Sequence, residues 1–182
     1  MVTNNLDCER YFCFKLINLM RKLFVMILFV VIAFNSYTQT IQLHYAGNNQ
    51  KIIAAVESAN KILLSEVFYS ELNAIQKFDN TLFTGNDIVK EMQQVKLIEI
   101  TEYHKKLTRA TARTQDNISI NTAKLNRDNP DIVNTLIHET IHATDWNINH
   151  KWDYTHRTQY EEIPPVSAPY VIGAIAERIM RG

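Results

Sequence analysis

The chain is poor in glycine and proline, with four of each in 182 residues. Long flexible linkers are therefore excluded, and one domain is expected. There is no excess of either charge: 19 Lys and Arg stand against 19 Asp and Glu. No basic stripe is present, which excludes the usual electrostatic footprint of a nucleic-acid partner. No internal repeat or biased tract occurs, so solenoids and low-complexity arrays are excluded. Cysteine is nearly missing, with Cys8 and Cys13 the only two. Long apolar runs are missing as well. Leu23 to Phe34 is twelve residues, short of the roughly twenty that a membrane-spanning helix needs.

What is present at the N-terminus has the layout of an export signal. Met20-Arg21-Lys22 is a short basic start, Leu23 to Phe34 is the apolar core, and Asn35 to Gln39 is polar with small residues. That is the order of a secretory signal peptide. Residues 1–19 carry Asp7, Glu9 and both cysteines, which do not suit a leader. Translation is therefore expected to begin at Met20. Residues 1–38 are read as extension plus signal, and residues 39–182 as a single secreted or otherwise extracytoplasmic domain. Membrane contact is expected only if the signal is retained as an anchor. A mature chain starting near Gln39 has no cysteine. That rules out disulfides, thiolate metal ligands and a cysteine nucleophile in the domain.

The domain reads as α+β. Thr40 to Tyr45 alternates apolar and polar residues and predicts a strand. Asn48 to Phe78 is mainly helical, with Ile52, Val56, Ala59, Leu63 and Val67 in one line. The turn Thr84-Gly85-Asn86 precedes a short helix over 87–94. Strands are expected at Val95 to Tyr103, Thr108 to Thr114 and Ile118 to Asn121, the last two joined by a turn at Gln115-Asp116-Asn117. Asn129-Pro130 predicts an N-cap and a proline at the first helical position. Trp146 to Ser167 reads as irregular, and Val171 to Met180 as a closing helix.

The chemistry is concentrated in the helix after Pro130. His138-Glu139-Thr140-Ile141-His142 is a complete H-E-x-x-H. Histidines four apart lie one above the other on a helix and can offer two nitrogens to one ion. Glu139 sits beside them as a base. Val133, Leu136, Ile137, Thr140 and Ile141 form an apolar stripe that the histidines flank without interrupting. One face can pack while the other lines a cleft.

This motif resembles that of the zincin metallopeptidases. The resemblance implies a small twisted sheet packed on the active-site helix, an edge strand along the cleft and an irregular C-terminal half ending in a helix. It also implies Zn2+ as cofactor, a peptide or protein as substrate and Glu139 as general base. The stretch Ala168-Pro169-Tyr170-Val171-Ile172-Gly173 is similar to one that follows the site in small secreted bacterial zincins. The sequence departs from the extended H-E-x-x-H-x-x-G-x-x-H pattern twice: Asp145 stands at the glycine position and Ile148 at the third histidine.

A catalytic zinc takes three protein ligands and keeps one position open. His138 and His142 are two. His156 is the expected third, because Trp152 to Thr155 is enough chain to turn back over the helix. His150, Asp145 and Glu177 remain alternatives, Glu177 being the one that a later helix would supply. Asp145 also suits a supporting carboxylate behind an imidazole. Tyr154 and Tyr170 are candidates to donate to an oxyanion. Ile118 to Asn121 is a candidate strand for pairing with an extended peptide. The competing reading is a non-enzymatic secreted or anchored domain with a structural metal site. In that reading Glu139 has no task.

Overall fold

The computed structural model describes residues 20–21, 40–79, 81–108, 111–148, 154, 156 and 163–182. The apolar run and polar stretch read as an export signal, both cysteines, His150 and most of 149–162 lie outside these residues. The elements below belong to one unit, Gln39–Gly182. No helix among the described residues is long and apolar enough to cross a membrane.

The architecture is mixed α and β. Strands β1 (Gln42–His44), β2 (Leu97–Tyr103), β3 (Ala112–Thr114) and β4 (Ile118–Asn121) form one sheet in the order β1-β2-β4-β3. β1, β2 and β4 run parallel, while β3 is antiparallel to β4 at the sheet edge. The period of two sets the faces: Leu43, Ile98, Ile100, Ile118 and Ile120 are buried. β4 is paired on both sides, so Ile118 to Asn121 offers no free main-chain edge, contrary to expectation. The edge belongs to β3.

The helical stretch expected over Asn48 to Phe78 is two helices. α1 (Gln50–Ile62) is capped by Asn49, and α2 (Glu66–Ala74) by Ser65, whose side chain accepts from the Phe68 amide. The new cap resets the helical phase. Phe68 and Leu72 become the buried positions, and Val67, expected to continue the apolar line, is 57% exposed. α3 (Gly85–Met92) opens on a capping box between Thr84 and Asp87. A Cβ on Gly85 would lie 1.7 Å from the Leu72 carbonyl oxygen. Only glycine lets α3 start against the end of α2.

α4 (Asn129–Ile148) carries the motif and α5 (Ala168–Arg181) closes the chain. The cap of α4 is Asp128, one residue before the expected Asn129. Its Oδ1 accepts from the Asp131 amide at 3.0 Å, while the Asn129 side chain donates to Ser58. The apolar stripe of α4 is fully buried: Val133, Leu136, Ile137 and Ile141 are each 0% exposed. Full burial of each such side chain contributes about 1.5–3 kcal/mol. α5 lies antiparallel against α4 and is fastened along its length. A Cβ on Gly173 would meet the Asn134 Oδ1 at 2.4 Å, so the backbones approach closely there. Asn134 donates to Glu177 at 2.6 Å, and Arg181 reaches Asp128 at 2.9 Å and Asp131 at 2.6 Å. This alignment brings the first turn of α5, with Tyr170, against the motif turn of α4.

Candidate metal centre

His138 and His142 leave the same face of α4 one turn apart, with ring centroids 5.2 Å apart. His156 returns from beyond the helix and places its Nε2 between them. It lies 2.7 Å from His142 Nε2 and 2.9 Å from His138 Nε2. All three ligand atoms lie within 4.8 Å of one another. Zn–N bonds of about 2.0–2.1 Å at tetrahedral angles would set the nitrogens roughly 3.3 Å apart. The observed pairs are somewhat tighter, a difference that small ring rotations correct.

The donor set itself argues for a cation. One imidazole Nε2 carries at most one proton, so His156 can make a hydrogen bond to only one of its two neighbours. The other contact is then a conflict: two nitrogens at hydrogen-bonding distance without a bond of their own. A metal ion between the three nitrogens removes that conflict. Burial, then the neighbouring imidazoles, pushes the His138 pKa well below its ordinary value. Burial and His156 take His142 down to about 3. Both rings are therefore neutral at pH 7, the form that binds metal.

Glu139 is beside this cluster in the chain and half-buried. Burial raises its pKa from 4.5 to about 7, opposed by a hydrogen bond from the Thr114 hydroxyl. The shift gives a prediction for the metal-free protein. The folded state holds the Glu139 proton more tightly than the unfolded chain, so folding stability falls as pH rises from 4.5 to 7. Above pH 7 the full cost is about 3 kcal/mol, at about 1.4 kcal/mol per pKa unit. Metal-free Glu139→Gln should therefore melt at a higher temperature than the parent at pH 8, and at about the same temperature at pH 4. Calorimetry at the two pH values decides it; an equal difference at both would refute the burial argument.

The other sequence candidates separate clearly. Tyr170 stands at the site, its ring 4.5 Å from that of His138 and 4.9 Å from that of His156. Tyr154 is fully buried, donates its hydroxyl to Glu91 and packs edge-on against Phe83. It is a packing residue and not an oxyanion donor. Glu177 is held by Asn134 and Arg181, outside the histidine cluster. Asp145 is 1% exposed, one turn beyond His142. It does not support that ligand from behind, because His142 Nδ1 is buried with no hydrogen-bond partner among the described residues. His150 lies outside the described residues.

Thr114 was not visible from the sequence as a site residue. Nothing in a short polar strand signals that its last hydroxyl will meet a carboxylate 25 positions later. Comparison with protein-family models, curated proteins and solved structures finds no match to this chain. Its function must be argued from the residues.

Proposed function

We propose that this chain is a zinc-dependent peptidase of the zincin type that works outside the cytoplasm. The observation that carries the reading is the convergence of His138, His142 and His156 with the half-buried Glu139 next to it in the chain. Several features support the zincin likeness. A small sheet packs on the motif helix, its antiparallel edge strand touches that helix through Thr114, and the third histidine comes from beyond the helix. The export signal in the sequence supports the location.

The three imidazoles suit zinc by number and donor type. His138, His142 and His156 would hold the ion, which would supply Lewis-acid chemistry: a more acidic water and a polarised carbonyl oxygen. Glu139 supplies the base: its carboxylate takes a proton and passes it to the departing amine. In the metal-free protein burial raises the pKa of this group, and a cation beside it would favour the carboxylate, the form that accepts a proton. Tyr170, whose ring lies against two of the three imidazoles, is the candidate to donate to a developing oxyanion. An extended peptide would pair with the outer side of β3.

A structural metal site needs four protein ligands. Among the described residues the cluster holds three histidines, the number that a catalytic zinc takes from protein. The test is metal content and casein hydrolysis by the exported chain. About one zinc per chain is expected, with hydrolysis lost to a chelator and restored by zinc. Hydrolysis that survives full metal removal overturns the mechanism. Bound zinc with no hydrolysis of casein or of a mixed peptide library returns the structural reading.

A further inference from the structure

We propose that Thr114 is a positioning residue for Glu139, and that the β3–β4 hairpin is the device that aims the general base. The inference rests on the peptidase reading above. It starts from the isolation of Glu139. A glutamate has three side-chain torsions, and its carboxyl torsion is broad. Placement in a helix next to a metal ligand leaves the carboxylate several directions to point. The described contact that restrains it is the hydroxyl of Thr114, which donates to Oε2. One oxygen is thereby held, and Oε1 is left to accept a proton.

Thr114 is itself held. It is the last residue of β3 and pairs with Ile118 of β4, whose side chain is buried. The turn that follows is pinned twice more. The Asn147 side-chain amide donates to the Asp116 carbonyl at 2.9 Å, and the Asn117 carbonyl oxygen of the side chain accepts from the Glu99 amide at 3.1 Å. The hairpin is thus tied to α4 through residues 139 and 147, two turns apart on the helix, and to the centre of the sheet. Two anchors on one helix fix both the position and the direction of the hairpin along it. A hydroxyl on such a frame restrains a carboxylate far better than one on a free loop. β3 is also the sheet edge, so a peptide that pairs with it would be in register with the residue that orients the base. Binding and proton transfer would then share one element.

The side chain needed is specific. Valine matches threonine in shape and β-branching but lacks the donor. Serine keeps the donor and loses a methyl. Thr114→Val should lower kcat on the order of 10-fold or more, as small misplacement of a reacting group does. KM should stay within about twofold, because the hydrogen bond is made to the base and not to substrate. Thr114→Ser should recover most of that loss. Zinc content should be equal in all three proteins. A purely structural threonine would lower stability without this split and without rescue by serine.

A second readout does not depend on turnover. The carboxyl stretch of Glu139, isolated by infrared difference against Glu139→Gln in metal-free protein, should shift in Thr114→Val and return towards the parent position in Thr114→Ser. An unshifted band in folded Thr114→Val overturns the proposal, whether or not the protein cleaves casein. A shifted band with no hydrolysis by the parent protein leaves the hydrogen bond standing and refutes its role in catalysis, together with the peptidase reading. A shifted band in Thr114→Val with parental kcat in an active protein overturns the positioning role alone.

Discussion

Glu139→Gln will keep zinc at parental stoichiometry and lose turnover by about 10²–10⁴-fold, the range that general acid–base groups supply. The substitution is nearly isosteric, and the amide oxygen can still accept from the Thr114 hydroxyl. Packing around the site is therefore preserved. What disappears is a group able to take up and release a proton near neutral pH. The metal should remain, because the three converging nitrogens all belong to histidines and Glu139 is not among them. Steady-state kinetics on a peptide substrate and zinc analysis of the same preparation check both halves. Parental hydrolysis with full zinc would remove Glu139 from the mechanism and leave the metal site intact. Loss of zinc would mean that the carboxylate is a ligand.

His156→Ala should have the larger effect on the metal itself. Its Nε2 lies between those of His138 and His142, at 2.9 and 2.7 Å. Removing it leaves two nitrogens one helical turn apart, too few to hold zinc tightly. The loss of affinity should exceed the roughly 10–100-fold typical of residues that only support a ligand. Glu177→Ala, by contrast, should change zinc affinity by less than about tenfold, since its carboxylate is engaged with Asn134 and Arg181. Its cost should fall on stability, through the contact between α4 and α5. Competition with a chromogenic chelator ranks the variants. Retention of parental affinity by His156→Ala would displace this residue from the site. If His150→Ala were then the severe variant, the loop after α4 would close sooner than the geometry indicates.

Much of this molecule was legible in one dimension because its signals are local. The i, i+4 spacing of His138 and His142 guarantees a shared face wherever a helix forms. The apolar stripe Val133-Leu136-Ile137-Ile141 guarantees which face packs. Alternation in residues 40–45 marked β1 for the same reason, since a pleated strand has period two. Capping residues were weaker guides. Asp128 and Asn129 both suit an N-cap, and only the observed bond to the Asp131 amide separates them. The break at Ser65 was hidden because the apolar line runs on through Val67. Propensity alone could not show that the helix restarts in a new phase.

The sequence by itself determined that a helix carries two imidazoles and a carboxylate in a geometry suited to one metal ion, and that no cysteine ligand is available to a domain starting near Gln39. Only the tertiary structure decided which distant groups join them. His156, Tyr170 and Thr114 reach the site from beyond the end of α4, from the first turn of α5 and from the sheet edge. Tyr154, two residues before His156, is turned away to pack on Phe83 and Glu91. No local rule distinguishes these outcomes. They follow from long-range constraints: the close crossing at Gly173 and Asn134, the Arg181 ion pairs and the sheet order that leaves β3 outermost. Such contacts join residues tens of positions apart, and their geometry is set by the packing of the whole core.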